Sequence, residues 1–193
     1  MTITLPYHQQ FIPAGDLARM GLSRYKINQL IDAGKIRKLN NNMYENMAYQ
    51  GDESDFAAAA AYAPKGVLCM MTAARFYELT TYLPDSVDVA IERTMKIYTL
   101  PDWPSLNIWY FPKLRYEKGL TTINDGTGDY RMYDVEKTVV DVLYYRNKIG
   151  IEETKEILKN YLNRNDRDLV RLHRYAQELG CGKILRTYLE VLL

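Results

Sequence analysis

The chain has only two cysteines and two histidines among its 193 residues, and this scarcity excludes several classes of protein. Cys69 and Cys181 are too few and too far apart for the disulfide framework of a small secreted domain. Neither the cysteines nor His8 and His173 have the spacing of a metal site. We therefore expect no metal and no cofactor. Without a secretory signal pattern, the sequence indicates a cytoplasmic protein.

Long apolar runs and a strong net charge are also missing. The run at 56–63 is far shorter than a membrane-spanning helix, so we expect no membrane association. The net charge of +1 excludes a polybasic protein. The charge is nevertheless uneven, because residues 1–50 contain six Lys or Arg and three Asp or Glu, whereas the remainder is slightly acidic. This asymmetry favours a small nucleic-acid-binding head on a larger body.

Aromatic residues are plentiful, since the chain contains 17 tyrosines. Tyrosine combines a large apolar ring with a polar hydroxyl, so such an excess is typical of half-buried packing positions. Stacking of tyrosine rings on nucleic-acid bases is the alternative interpretation.

Residues 13–45 predict two short helices, a tight turn and a basic hairpin. Gly21 can adopt a positive φ in the turn, and the Ser23 hydroxyl can cap the helix that follows. That helix is predicted over 24–33, with Ile27, Leu30 and Ile31 on its buried stripe and Gly34 at its end. The alternation of basic and apolar residues over 35–39 and the turn at 40–42 predict the hairpin.

This combination of turn, helix and basic hairpin indicates a winged helix-turn-helix that binds double-stranded DNA. Amide side chains on the exposed helix face can pair with adenine in the major groove, and basic residues can contact phosphates. A purely structural helix pair with a solvated basic face is the alternative. The predicted DNA-binding residues are Arg24, Tyr25, Lys26, Asn28, Gln29, Lys35, Arg37, Lys38, Asn40, Asn41 and Asn42.

The polar segment 50–54 is the predicted domain boundary. It separates a winged helix-turn-helix domain over 1–50 from an α+β domain over 51–193, which combines an antiparallel or mixed sheet with a helical C-terminal region. Strands are predicted at 87–91, 96–98, 106–111, 119–123 and 130–133. Helices are predicted at 55–63, from a cap at Thr72 to Leu79, and at 134–150, 151–162, 166–179 and 183–193.

Two polar groups in the second domain are candidates for chemistry. Glu136, Lys137, Thr138 and Asp141 share a helix, and a Lys–Asp pair four residues apart is typical of local helix support. Asp85, Asp88 and Glu92 loosely resemble a nuclease metal site, but Thr94 occupies the position of its lysine. Strand alternation places Asp88 and Glu92 equally well on a solvent-facing edge. We therefore favour a structural interpretation of both groups.

Several short motifs, in this order along the chain, resemble the AbiEi-type antitoxins of type IV, or abortive-infection, toxin–antitoxin systems. In the head these motifs are Asp16-Leu17, Gly21-Leu22-Ser23-Arg24, LIDAGKIRK at 30–38 and Met43-Tyr44. In the body they are MTAARFYEL at 71–79 and VEKTVVDVL at 135–143. The positions that match the antitoxin motifs are Thr72, Arg75, Glu136, Lys137, Thr138 and Asp141.

The resemblance implies a non-enzymatic regulator with two activities. Its head would repress its own promoter by binding inverted repeats, and its body would oppose a nucleotidyltransferase-like toxin without a stable complex. We expect a monomer or weak dimer. The alternatives are an interaction protein that binds a protein or RNA partner through the C-terminal domain, and a metal-dependent nuclease.

Overall fold

The computed structural model describes residues 5, 9–51, 54–97, 99–126 and 128–192, and it has an α+β architecture. The chain forms two compact units. Unit 1 comprises Met1–Pro64 and Ile97–Pro104, and unit 2 comprises Lys65–Lys96 and Ser105–Leu193. The division between them differs from the boundary predicted at 50–54, because the helix after that polar segment belongs to unit 1.

Unit 1 contains a three-stranded antiparallel sheet and three helices within the described residues. The strand order is β1-β3-β2, and the buried side chains of Ile12, Leu17, Leu22, Leu30 and Ile36 form the core. The elements are β1 (Phe11–Pro13), α1 (Ala14–Arg19), α2 (Arg24–Asp32), β2 (Ile36–Lys38), β3 (Met43–Asn46) and α3 (Asp55–Tyr62).

The local signals of the predicted turn are confirmed. Gly21 has a φ of 76°, a conformation that glycine adopts without steric cost. The Ser23 hydroxyl accepts a hydrogen bond from the backbone N–H of Lys26 at 3.4 Å and so caps α2. Gly34, with a φ of 64°, follows the end of α2 as expected. Strand β1 was not predicted. It pairs with β3 and forms one edge of the three-stranded sheet.

Unit 2 contains a mixed five-stranded sheet, ordered β6-β5-β4-β8-β7, with helices packed on it. The β4–β5 and β7–β8 pairs are antiparallel, and the β5–β6 and β4–β8 pairs are parallel. Its elements are β4 (Val67–Leu68), α4 (Met70–Phe76), β5 (Val87–Glu92), β6 (Leu106–Phe111), α5 (Lys113–Glu117), β7 (Leu120–Asn124), β8 (Asp129–Tyr133), α6 (Val135–Tyr144), α7 (Arg146–Ile149), α8 (Ile151–Leu162), α9 (Leu169–Glu178) and α10 (Gly182–Leu192).

Helix α6 lies at the centre of unit 2. Its apolar residues Val139, Val140 and Leu143 are buried against α4, α8, α9 and α10. The i, i+4 spacing of Val139 and Leu143 directs both side chains toward the same neighbours. Helix α6 holds four of the six motif positions named above, namely Glu136, Lys137, Thr138 and Asp141, and Thr72 and Arg75 lie on α4. None of the described helices is both long and apolar enough to span a membrane.

Three predicted elements of the α+β domain predicted over 51–193 need correction. Lys96 and Ile97 are not in a strand, and Tyr98 lies outside the described residues. The helix predicted at 134–150 divides into α6 and α7 at Tyr145. Thr72 does not cap a helix, because α4 already begins at Met70 and ends at Phe76.

Candidate nucleic-acid interface

Helix α2 exposes a continuous polar face. Leu30 is buried on the opposite side and fixes the orientation of the helix in unit 1. Tyr25 is 72% exposed, and the other predicted contact residues of this helix are exposed as well. They are Arg24, Lys26, Asn28 and Gln29.

Most side chains of this face have no hydrogen-bond or ion-pair partner in the part of the chain that the structure describes. Gln29 donates a hydrogen bond from Nε2 to the Tyr25 hydroxyl at 3.1 Å. Among the described residues, the side chains of Arg24, Lys26 and Asn28 make no hydrogen bond or ion pair. Exposed basic and amide groups without internal partners can bind an external polyanion.

Arg37 in the hairpin has partners within unit 1. It lies opposite Glu45 in the β2–β3 register, and its Nη2 atom is 2.7 Å from Glu45 Oε2. The same guanidinium donates to the Tyr62 hydroxyl at 3.4 Å. Because these partners already occupy Arg37, it stabilises the hairpin and is a poor candidate for a phosphate contact.

Lys35 and Lys38 remain as the available cations of the hairpin. Both are exposed, and neither pairs with a carboxylate in the part of the chain that the structure describes. Lys38 lies opposite Tyr44 in the β2–β3 register, so it is held on the regular part of the hairpin.

The asparagines at the hairpin tip divide into two groups. Asn40 donates from Nδ2 to the Ala61 carbonyl at 2.8 Å and accepts from the Asn42 backbone N–H at 2.9 Å. It therefore shapes the turn and ties it to α3. Asn41 and Asn42 have exposed side chains.

The motif residues of α6 form a buried ionic cluster in unit 2. The Lys137 ammonium donates to Asp141, and both side chains are completely buried. Arg115 of α5 joins them, with its Nη1 atom 2.5 Å from Asp141 Oδ1. Burial lowers the pKa of Lys137, and the neighbouring Asp141 carboxylate opposes that shift.

Arg115 is the member of this cluster that the sequence did not reveal. It also donates to the Leu179 carbonyl at 2.7 Å, so it connects α5 to the end of α9. Lysine and aspartate four residues apart signal a helical pair. Nothing in the local pattern around Arg115 marks it as the third member.

Glu136 and Thr138 are also structural. Glu136 is buried and accepts hydrogen bonds from the Tyr161 hydroxyl and the Asp168 backbone N–H, each at 3.1 Å. Arg171 lies 3.6 Å from the same carboxylate. The Thr138 hydroxyl donates to the carbonyl of Asp134, the N-cap residue of α6, at 2.9 Å. These contacts join α6 to α8 and α9.

Thr72 and Arg75 have separate surroundings on α4. The Thr72 hydroxyl accepts a hydrogen bond from the Asp88 backbone N–H at 2.8 Å. Arg75 is exposed and has no side-chain partner among the described residues. The structure thus gathers Lys137 and Asp141 in one cluster and leaves Arg75 outside it.

No protein-family model matches this chain, and no curated protein sequence matches it.

The nuclease-like residues do not form a metal site in the described structure. Asp88 is buried on β5, an interior strand, so the prediction of a solvent-facing edge for it is wrong. Its carboxylate accepts hydrogen bonds from Asn107 Nδ2 at 2.7 Å, Trp109 Nε1 at 2.8 Å and the Met71 backbone N–H at 3.0 Å. Burial raises the pKa of Asp88, and these hydrogen bonds oppose the shift. No group of three His, Cys, Asp or Glu side chains suited to a metal occurs in the described residues.

Proposed function

We propose that unit 1 is a winged helix-turn-helix that binds double-stranded DNA through α2. The observation that carries this proposal is the exposed face of α2, where basic and amide side chains lie without carboxylate partners among the described residues. A helix of this width fits the major groove of B-DNA, and its N-terminal residues reach the base edges.

The positions along α2 suggest distinct roles. Arg24 and Lys26 lie in the first turn, where they would contact phosphates on either side of the groove. Asn28 and Gln29 follow in the next turn, and each amide can pair with both the N6 and N7 atoms of an adenine. The Tyr25 hydroxyl takes one amide hydrogen of Gln29 and leaves the other hydrogen and the carbonyl oxygen for a base.

The hairpin would act as the wing. Lys35 and Lys38 are its available cations, and Asn41 and Asn42 form its exposed tip. We assign these four residues to the adjacent DNA backbone or minor groove. Arg37 and Asn40 would support the wing from within the protein.

The regulatory role follows from the motif resemblance. We propose that the protein represses its own promoter at inverted repeats in the cytoplasm, as a monomer or weak dimer. We further propose that unit 2 opposes a nucleotidyltransferase-like toxin without a stable complex. Support for the second activity is the resemblance of residues 71–79 and 135–143, which contribute the mutually packed helices α4 and α6.

Hydroxyl-radical footprinting tests the proposed groove contacts. The probe is the duplex that precedes the coding sequence of the protein. We expect protected sugars on both sides of one major groove, in two symmetry-related copies. Lys26→Ala should weaken all of this protection, and Asn41→Ala should reduce only the flanking protection. A uniform cleavage pattern at saturating protein would contradict the proposal.

A further inference from the structure

Unit 2 carries a second surface that combines cations with aromatic rings. Its rings are Trp109, Tyr144 and Tyr145. The ring centroids of Trp109 and Tyr145 are 5.1 Å apart, and those of Tyr144 and Tyr145 are 4.9 Å apart. Together with Lys148 and Arg93, which lie near these rings, and Arg146, which follows Tyr145 in the chain, they define the aromatic–basic surface.

The rings are held in place from inside the unit. Tyr144 is 43% exposed, while the guanidinium of buried Arg115 lies 3.9 Å from its ring centroid. Trp109 donates from Nε1 to the buried Asp88 carboxylate. Tyr145 stacks on Phe111 at 5.7 Å with an interplanar angle of 5°. Rings fixed in this way lose little additional conformational freedom when a ligand stacks on them.

The three cations have no carboxylate partner among the described residues. Lys148 Nζ lies 5.6 Å from the Trp109 centroid and 5.9 Å from the Tyr145 centroid. Burial raises the pKa of Tyr145, and the positive charges of Arg115 and Arg93 oppose that shift. Arg146 directly follows Tyr145 and begins α7.

The carboxylates close in sequence to these cations have other contacts. Glu92 accepts a hydrogen bond from the Thr94 hydroxyl at 3.1 Å. Glu152 pairs with Lys155 at 2.7 Å. No ion pair within the described ranges therefore compensates the positive charge of the aromatic–basic surface.

We propose that the aromatic–basic surface binds single-stranded nucleic acid. The exposed ring of Tyr144 and the partly exposed rings of Trp109 and Tyr145 offer stacking positions for unpaired bases. Lys148 and Arg93 lie near these rings and can contact the connecting phosphates. A duplex is the poorer ligand, because its base faces are already stacked on one another. An acidic polypeptide satisfies the charges but has no bases for the rings. This binding activity is independent of the DNA-binding face of α2.

Fluorescence anisotropy with the full chain tests the proposal. The probes are labelled 12-nucleotide strands of oligo(U) and oligo(dT), and an abasic deoxyribose-phosphate strand of the same length. We expect saturable binding of oligo(U), oligo(dT) or both. The abasic strand should bind about fivefold or more weakly, because it cannot stack. Equal binding of the abasic strand, or equal displacement by polyglutamate, would overturn the proposal.

Matched variants assign the binding to this surface. Replacing both Arg93 and Lys148 by Ala should reduce the slope of log K against log salt by about 1.4, at about 0.7 for each lost phosphate contact. Lys159→Ala removes one exposed positive charge elsewhere in unit 2 and should leave the slope unchanged. The proposal fails if the double variant binds like the wild type.

A further pair of variants tests the role of the rings. Tyr144→Phe keeps a ring and should retain binding, whereas Tyr144→Leu should weaken it about fivefold or more. Circular dichroism checks that both variants remain folded. Replacing Arg24 and Lys26 together by Ala should leave single-strand binding intact. If that head variant abolishes it, the strands bind to α2 and the aromatic–basic surface is excluded.

Discussion

Lys137 and Asp141 form an ion pair from which solvent is completely excluded. Arg115 donates to the same carboxylate, so one buried anion compensates two cations. The Lys137 ammonium also lies 3.8 Å from the centroid of the Tyr133 ring, where a cation–π contact replaces part of its lost hydration. The cluster therefore depends more strongly on Asp141 than on either cation.

Substitutions of the ion pair should differ in their effect on stability. Asp141→Asn leaves two buried cations without an anion and should lower the free energy of unfolding by about 3–5 kcal/mol. Lys137→Met should cost less, because Arg115 still compensates Asp141. Urea unfolding of both variants measures the two losses. A larger loss for Lys137→Met would contradict this account of the cluster.

Gly119 lies against the same lysine. A Cβ atom at position 119 would be 2.6 Å from the Lys137 Cβ, and its φ is 69°. Gly119→Ala should therefore combine about 1–2 kcal/mol of backbone strain with about 1–3 kcal/mol of overpacking. Gly180 is the matched control, because its φ is 78° and a Cβ atom there would meet no other atom within 4 Å. Equal thermal destabilisation of the two variants would exclude the steric conflict with Lys137.

Stability at alkaline pH should depend on Tyr77. Burial, followed by the charges of Asp134 and Glu136, raises the pKa of Tyr77 from 10.0 to about 12, and its hydroxyl donates to the Tyr133 carbonyl at 2.9 Å. The folded protein holds this proton more tightly than the unfolded chain. Its stabilising contribution is therefore complete below pH 10 and is lost as the pH rises through about 12. Tyr77→Phe should show a shallower loss of stability between about pH 9 and 11.5. Identical slopes in urea unfolding would contradict the assignment.

Lys38 and Arg37 are neighbours in the hairpin, and only Arg37 pairs with a carboxylate among the described residues. Lys38→Ala should reduce the salt dependence of duplex binding by about 0.9 in log–log slope, the value for one phosphate contact on B-DNA. Arg37→Ala should leave that slope nearly unchanged, because Glu45 and Tyr62 already bind the guanidinium. Titrations across a range of salt concentrations measure both slopes. A full unit of change for Arg37→Ala would show that it contacts phosphate.

Much of the secondary structure could be predicted from the sequence because its signals are local. The glycine turn, the cap of α2 and strand β6 each depend on neighbouring residues. Helix α5 was missed because Pro112 suggested a break. In the structure Pro112 is instead the N-cap of α5, a position where its missing N–H costs nothing.

The candidate sites were harder to predict because they depend on contacts between residues that are far apart in the sequence. Arg37 looks like any basic residue of a hairpin, and only the fold brings Tyr62 to it. Asp88 looks like a solvent-facing acid until the sheet order places β5 between two strands. The chemistry of both residues is set by partners that sequence periodicity does not reveal.

Recognition of a specific DNA sequence by α2 can be measured directly. The experiment is an anisotropy titration of the protein against its own upstream duplex and a scrambled duplex, at low and physiological salt. We predict that the protein prefers the upstream duplex and that this preference persists at physiological salt. Asn28→Ala or Gln29→Ala should reduce the preference. Equal binding of both duplexes that disappears at physiological salt would contradict it.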